Sequence, residues 1–270
     1  MRLGIGSYAY AWAIGAPGRL PAQPMTAPNL IERAAALKVG VVQIADNLPL
    51  AGCSADRLDE LLGLAQLLGI EIEVGTRGIG YDHIGRYVQV AQRLKSKILR
   101  VVVDTSDHHP DPDEAVDLIR AVLPLLSEAG VCLAIENHDR FTARTLVQIV
   151  ERTASDHVGI CLDTVNSFGA LEGPEVVLEV LGPWVVNLHV KDFIIRRADH
   201  MMGFTIEGRP AGHGELNIPW LIEKLHVQGR DPNAILELWP PPEGSIAGTV
   251  AKEEQWVATS VQYLRTLIPG

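Results

Sequence analysis

Four residues able to bind a metal ion lie at the ends of four separate apolar runs in the second half of the chain. They are Glu136 in LAIENH, Asp163 in GICLDTVNS, His189 in VVNLHVKDF and Glu237 in AILELWPP. Each run is short and rich in Val, Ile and Leu, which is typical of a buried parallel strand. A charged or imidazole group at the end of such a strand costs free energy unless another group pairs with it. Together the four residues predict a divalent metal site, and hence a metalloenzyme.

The ligand types in this set, three carboxylates and one imidazole, indicate which ions it would bind. Oxygen and nitrogen ligands suit Mn²⁺, Mg²⁺ or Co²⁺ better than an ion that prefers thiolates, and we expect Mn²⁺ first. Zinc also accepts histidine and carboxylate ligands, so it stays among the alternatives. The competing interpretation is four unrelated salt bridges or helix caps. Four groups at the same end of four consecutive strands favour the metal site.

These strand ends belong to an alternation of strands and helices that extends through the whole chain. Strand-like runs are predicted at 3–10, 39–46, 70–76, 98–105, 131–137, 158–164, 185–192 and 234–239. Amphipathic segments such as DRLDELLGLAQLLG and RTLVQIVERTA separate them. Eight strand–helix units at a spacing of about 30 residues predict an α/β fold, a closed (β/α)8 TIM barrel. An open doubly wound sheet would need a glycine-rich phosphate loop, which GIGSYAYAWAIG matches poorly.

Composition and charge restrict the partners and the location. The 270 residues include 47% hydrophobic residues and carry a formal net charge of −10, which argues against a nucleic-acid backbone as the main partner. No linker divides the chain, so residues 1–270 are expected to form a single domain. No apolar segment reaches the ~18 residues of a membrane span, so we expect no membrane association. With no signal peptide evident either, a cytoplasmic location is predicted. Cys53, Cys132 and Cys161 are expected to be small buried residues in a reducing compartment.

The order IEN, CLDT, LHVKD and LELW resembles the xylose-isomerase-like TIM barrel superfamily, and this resemblance covers nearly the full chain. The superfamily contains sugar phosphate isomerases and epimerases, D-tagatose 3-epimerase-like enzymes, inosose dehydratases and endonuclease IV-type nucleases. In ketose 3-epimerases the four matching residues bind a divalent metal, and the two glutamates also act as acid and base. The resemblance therefore implies catalytic roles for Glu136 and Glu237. It also implies a homo-oligomer, because barrels of this group often form dimers or tetramers.

The activity that this resemblance implies is isomerisation or epimerisation of a small keto-sugar or sugar derivative through a metal-stabilised enediolate. The alternative is a metal-dependent lyase, either a decarboxylase of an oxo-sugar acid or a dehydratase or eliminase of a keto-sugar. An endonuclease is less favoured, because the early strands lack the additional histidines of that group. One departure keeps the lyase open: ketose 3-epimerases have a histidine three residues after the metal aspartate, where this chain has Asn166.

Five residues are predicted to contact the substrate, a small sugar or sugar acid. They are His138, Asn166, Lys191, Arg209 and Trp239. Lys191 follows His189 by two residues, so both side chains of an extended strand lie on the same face. Loop 193–219, rich in glycine and proline, is predicted to be a lid over the barrel mouth, and its arginines favour an anionic substrate.

Overall fold

Eight parallel strands close into a barrel in the computed structural model, which describes residues 1–269. The described residues contain ten strands: β1 (Leu3–Gly6), β2 (Val41–Ile44), β3 (Glu71–Arg77), β4 (Ile98–Val102), β5 (Cys132–Glu136), β6 (Val158–Asp163), β7 (Val185–Val190), β8 (Asp192–Arg197), β9 (Phe204–Arg209) and β10 (Asn233–Leu236). Around the barrel the order is β1, β10, β7, β6, β5, β4, β3, β2, and β8 pairs with β9 alone. The predicted single-domain (β/α)8 barrel is therefore confirmed.

Helices pack around the barrel and bury its outer surface. They are α1 (Ala11–Ile14), α2 (Ala27–Ala36), α3 (Ala55–Leu68), α4 (Tyr81–Arg93), α5 (Pro112–Ala129), α6 (Ala143–Thr153), α7 (Pro174–Leu181), α8 (Ile218–Val227) and α9 (Ile246–Leu264). Gly69 and Gly130 end α3 and α5 in the left-handed conformation, as the sequence predicts for C-caps. Within residues 1–269, no helix combines the length and apolar character needed to cross a membrane.

The first strand is shorter than the sequence pattern predicts, because the chain turns at Ser7. Residues Ser7–Tyr10 form a 3₁₀ turn that leads into α1. The Ser7 hydroxyl donates to Asn47 Oδ1 at 2.5 Å and accepts from the Ala45 amide at 2.9 Å. These bonds hold the end of β1 against the end of β2, so the apolar residues beyond Gly6 pack as a helix and not as a strand.

The prediction of one loop over 193–219 is wrong for much of that range, since β8 and β9 form an antiparallel hairpin there. The segments FIIRR and FTIEGR contain β-branched and aromatic residues, which favour strands. They pair across the hairpin, with Ile195 opposite Ile206. The base of this segment is held by Asp192. Its carboxylate accepts four backbone N–H groups, from Phe193, Gly212, Gly214 and Leu216, at 2.8 to 3.1 Å. Closure of the segment as a lid stays a prediction.

One irregularity interrupts the pairing of β6 with β7. Ile160 pairs with Val185 but Cys161 pairs with Asn187, so Val186 is an additional residue on β7. Beyond this bulge Asp163 is level with His189. Residues at the same level of two parallel strands lie on the same face of the sheet, and both side chains are fully buried.

Candidate metal centre

The barrel brings the side chains of Glu136, Asp163, His189 and Glu237 together. Glu136 and Asp163 end β5 and β6, His189 lies in β7, and Glu237 follows β10. The His189 Nδ1 atom is 3.4 Å from Glu136 Oε2, 3.6 Å from Asp163 Oδ2 and 3.4 Å from Glu237 Oε1. At most 2% of any of these four residues is exposed. Three carboxylates therefore surround a single imidazole nitrogen in the closed interior of the sheet.

Several atoms of this cluster lack a hydrogen-bond partner among the described residues. They are His189 Nδ1, Asp163 Oδ2 and both carboxylate oxygens of Glu237. Buried polar atoms are normally hydrogen-bonded, so His189 Nδ1 and Glu237 Oε1, which contact no lysine or arginine either, indicate a missing ligand. The ligand atoms of Asp163, His189 and Glu237 lie within 4.8 Å of one another. These oxygen and nitrogen donors fit a divalent cation, and Glu136 could complete the set.

The remaining atoms of the candidate ligands are held by neighbours. Asp163 Oδ1 accepts the backbone N–H groups of Val165 and Asn166, both at 2.9 Å. The Asn166 side-chain amide donates to Glu136 Oε1 at 2.6 Å. His189 Nε2 lies 2.7 Å from Gln43 Oε1. Asp163 and His189 thus each have one atom held by a neighbour and one left facing the centre of the cluster. Both oxygens of Glu136 accept hydrogen bonds, and neither oxygen of Glu237 does.

Two cations flank the cluster, one on each side. The Arg100 guanidinium contacts Glu136 Oε2 through Nε and donates to Asp46 Oδ1 at 2.8 Å through Nη1. The Lys191 ammonium lies 2.7 Å from Asp163 Oδ2 and 2.9 Å from Glu237 Oε2, close enough for ion pairs but without hydrogen-bond angles. Burial would lower the pKa of both cations, but the carboxylates raise it, so both are charged. These two cations balance part of the negative charge of the carboxylates that they contact.

The same charges change the proton affinity of the ligands. Burial would raise the pKa of Asp163, but Lys191 and His189 hold it below its ordinary value. In Glu237 the opposing effects of burial and of His189 and Lys191 also leave the pKa lowered. Burial would lower the pKa of His189, but neighbouring Cys161, Glu237 and Glu136 raise it. Both carboxylates are therefore ionised and ready to bind a cation, for which a proton on His189 Nδ1 would compete.

The predicted substrate-contact residues fall into two groups. Asn166 and Lys191 directly touch the candidate metal ligands. His138 is half-buried beside Asp139, and burial lowers its pKa. Arg209 donates to the Gly208 carbonyl at 2.6 Å and pairs with Glu207 at 3.1 Å, both within the hairpin. Trp239 packs on the hairpin at Gly208, where an added Cβ would meet the Trp239 carbonyl at 2.7 Å.

Sequence reasoning missed three buried polar residues of this region: Arg100, Gln43 and Cys161. A signal existed for the first two, because each is a polar residue inside an apolar strand run, ILRVV and VVQI. Cys161 was expected only as a small packing residue, yet its sulfur lies within 4.8 Å of ligand atoms of Glu136 and His189. Burial raises the pKa of the Cys161 thiol to about 11, so it is protonated at neutral pH and is a poor metal ligand.

Comparison with known proteins gives the same fold and adds a close relative. The chain is 35% identical over 269 residues to 3-oxo-isoapionate decarboxylase of Pectobacterium atrosepticum, covering 100% of this chain and 97% of that protein. D-psicose 3-epimerase, solved in the presence of D-fructose, superposes with a TM-score of 0.77 at 16% identity over 100% of both chains. A xylose isomerase-like TIM barrel protein from Mycobacterium smegmatis in complex with magnesium gives 0.71 at 15% identity, over 96% of this chain and 97% of that one.

The two solved structures share the fold, and their low identity carries no further conclusion. A family model described as xylose isomerase-like TIM barrel matches residues 31–267, which is most of the sequence. Together with the full-length similarity to the Pectobacterium enzyme, this match identifies the family. The chain belongs to the xylose isomerase-like TIM barrel family.

Proposed function

We propose that this protein is a divalent-metal-dependent decarboxylase that acts on a small 3-oxo sugar acid. The full-length similarity to 3-oxo-isoapionate decarboxylase supports the lyase more strongly than the isomerase that was expected first. Mn²⁺ is the proposed ion, and a neighbour of the same fold is described with the related ion magnesium. The proposed partner is a small anionic substrate, with no role for nucleic acid.

The observation that carries this proposal is that both glutamates are paired with cations. Glu136 contacts Arg100, and Glu237 lies 2.9 Å from Lys191. A carboxylate stabilised by a buried cation is a weak base, and Glu237 has a lowered pKa. Epimerisation must begin with removal of a proton from carbon, whereas decarboxylation of a 3-oxo acid needs no base. The charges at this site therefore favour the reaction that begins by losing CO₂.

The reaction can be assigned to groups in the site. Glu136, Asp163, His189 and Glu237 would hold the divalent ion. When bound, the ion would act as a Lewis acid on the keto oxygen of the substrate. Breaking the bond between the carboxylate carbon and the α-carbon releases CO₂ and leaves the electron pair in the substrate as an enolate. The Asn166 amide lies beside Glu136 and can donate a hydrogen bond to a substrate hydroxyl.

Lys191 is the proposed proton donor that completes the reaction. Its ammonium group is charged, lies at the cluster, and has 14% of its side chain exposed. After CO₂ has left, Lys191 gives a proton to the α-carbon, and water from the barrel mouth restores it. General acid catalysis of this kind contributes about 10²- to 10⁴-fold to a rate.

A second candidate, the isomerase or epimerase, is favoured by one feature of the geometry. Glu136 and Glu237 approach His189 Nδ1 at the same distance, 3.4 Å, so both carboxylates lie close to the proposed metal position. A keto-sugar bound there would have a carboxylate available to remove a proton and another to return it. The experiment that follows separates the two reactions.

The test is proton NMR in D₂O with Mn²⁺-loaded enzyme, quenched and chelated with EDTA. The substrates are 3-oxo-isoapionate and, as controls, the corresponding acid without the 3-oxo group and a neutral keto-sugar. The proposal predicts one CO₂ per substrate, measured separately as gas release, and in the NMR spectrum one deuterium at the former α-carbon, with no reaction of the controls. Deuterium uptake with the carbon count unchanged would assign the enzyme to the isomerases. Turnover equal to wild type in an Asp163→Asn variant would exclude the metal centre.

A further inference from the structure

A network of buried side chains fills the barrel below the metal centre. Glu73 on β3 is fully buried and accepts hydrogen bonds from three side-chain amides. Gln43 donates to Glu73 Oε2 at 3.0 Å, Asn187 donates to the same oxygen at 2.8 Å, and Asn233 donates to Oε1 at 2.8 Å. Both oxygens of Glu73 therefore accept hydrogen bonds from side-chain amides.

This network fixes which end of the Gln43 amide faces the metal centre. The Gln43 nitrogen donates to Glu73 Oε2 and also, at 2.9 Å, to Asn187 Oδ1. A reversed Gln43 amide would put its carbonyl oxygen against two acceptor oxygens. Asn187 cannot reverse to relieve this contact without losing its own bond to Glu73. The Gln43 carbonyl oxygen must therefore face away from Glu73.

The atom that this carbonyl faces is His189 Nε2, at 2.7 Å. A carbonyl oxygen only accepts hydrogen bonds, so His189 Nε2 must carry the hydrogen. In a neutral imidazole the other nitrogen then has the free lone pair. That nitrogen is Nδ1, which faces Glu136, Asp163 and Glu237 at 3.4 to 3.6 Å.

We propose that Gln43 and Glu73 are positioning residues that set the tautomer and ring orientation of His189 for metal binding through Nδ1. Glu73 accepts from the Gln43 nitrogen and so orients the Gln43 amide. The Gln43 carbonyl oxygen in turn accepts from His189 Nε2 and so orients the imidazole. The inference rests on the metal centre of the proposed function. Groups that orient metal ligands in this way typically change metal affinity by about 10- to 100-fold.

The first variant is Gln43→Leu, which removes the acceptor for Nε2–H at similar volume. We expect Mn²⁺ to bind about 10- to 100-fold more weakly by calorimetry of the metal-free protein. In Zn²⁺-loaded protein labelled with ¹⁵N-histidine, the wild type should give an Nε2–H signal protected from solvent exchange. Gln43→Leu should lose that protection. The matched control is Asn233→Ala, which removes a donor to Glu73 off the path to His189, and should keep both properties.

A second variant tests the inference even if Gln43→Leu does not fold. The exchange Gln43→Glu with Glu73→Gln keeps an acceptor for Nε2–H and supplies an amide donor below it, provided that the Asn187 amide reverses. We expect Mn²⁺ affinity within about threefold of wild type and a protected Nε2–H signal. Wild-type affinity in a folded Gln43→Leu, or loss of affinity in the exchange variant, would overturn the inference. A wild type that binds no divalent ion would instead overturn the metal centre, and the inference with it.

Discussion

Lys191 is the residue on which the choice of reaction depends most directly. Substitution Lys191→Met removes the proposed proton donor and keeps most of the apolar stem. We expect kcat for decarboxylation to fall about 10²- to 10⁴-fold, because the α-carbon then has no positioned acid. Mn²⁺ affinity should be retained or increased, because a like charge beside the cation is removed.

Two comparison variants make this expectation specific. Lys191→Arg keeps the positive charge, but its longer, planar guanidinium carries its N–H groups at different positions, so it should not restore turnover. Lys224→Met, on the exposed surface of α8, should behave as wild type. Steady-state CO₂ release and calorimetric Mn²⁺ binding are the measurements. Normal kcat in Lys191→Met would assign the lysine to charge balance alone.

At the residue scale, the sequence predicted the candidate ligands better than their supports. Acidic and imidazole groups at strand ends are visible in one dimension, because the end of a strand marks the mouth of the barrel. Arg100 and Gln43 lie inside strands, and their partners Glu136 and His189 are 36 and 146 positions away. Their polarity within apolar runs was a signal, but its meaning depends on which strands are neighbours in the closed sheet.

At the scale of elements, Asp192 at the start of β8 organises the chain that follows β9. Substitution Asp192→Asn replaces one accepting oxygen with a donor that faces backbone N–H groups. Each buried donor left unpaired costs about 1–3 kcal/mol, so we expect a loss of about 2 kcal/mol or more in the free energy of unfolding. Hydrogen exchange at Gly212 and Gly214 should accelerate. Asp199→Asn, whose side chain is 91% exposed, is the control. Unchanged exchange at both glycines would contradict this role.

Glu253 on α9 contacts the backbone of α1 and should make the free energy of unfolding depend on pH. Its carboxylate accepts the backbone N–H groups of Trp12 and Ala13 at 2.9 Å, and burial raises its pKa to about 7 from 4.5. A carboxyl group whose pKa is raised in the folded state favours folding fully below its unfolded pKa. Its contribution is then lost as the pH rises through the folded value. The change amounts to about 3 kcal/mol between pH 4.5 and 7.

Comparison of wild type with Glu253→Gln isolates this effect. The glutamine cannot ionise, so wild-type stability should decline relative to the variant as the pH rises from 4.5 to 8. Chemical denaturation at several pH values gives the free energy of unfolding of each protein. The variant itself should be less stable at low pH, because the glutamine NH₂ group would face one of these backbone N–H groups and cannot accept from it. A constant difference across this range would refute the assignment.

Elements were predicted well where the periodicity of apolar residues is strong. They were predicted poorly where hydrogen bonds of single residues determine the end of an element. All eight barrel strands were anticipated because apolar runs alternate with amphipathic helices. The end of β1 at Gly6 depends on the bonds of Ser7 to the end of β2, which no local pattern reveals. The hairpin of β8 and β9 was missed because glycines and a proline near its ends suggested a loop.

At the scale of the whole molecule, a divalent ion would connect four strands that are consecutive around the barrel, β5, β6, β7 and β10. Binding to the folded state alone stabilises a protein by about 2.7 kcal/mol at a free concentration of 100 Kd. We therefore expect Mn²⁺ to raise Tm and EDTA to reverse the change, measured by calorimetry. In Asp163→Asn this response should be greatly reduced, and in Asp199→Asn it should be intact. An equal response in both variants would place the ion elsewhere.

The bulge at Val186 makes the length of β7, and not only its residue types, a determinant of the site. If all residues of β7 paired regularly from Val185 onward, with no bulge, Leu188 and not His189 would be level with Asp163. Deletion of Val186 should straighten the strand and leave Asp163 opposite His189, so metal affinity should survive. Deletion of Leu188 should turn His189 to the outer face and abolish Mn²⁺ binding. We therefore expect a change in the length of β7 to be tolerated at Val186 but not between Asn187 and His189.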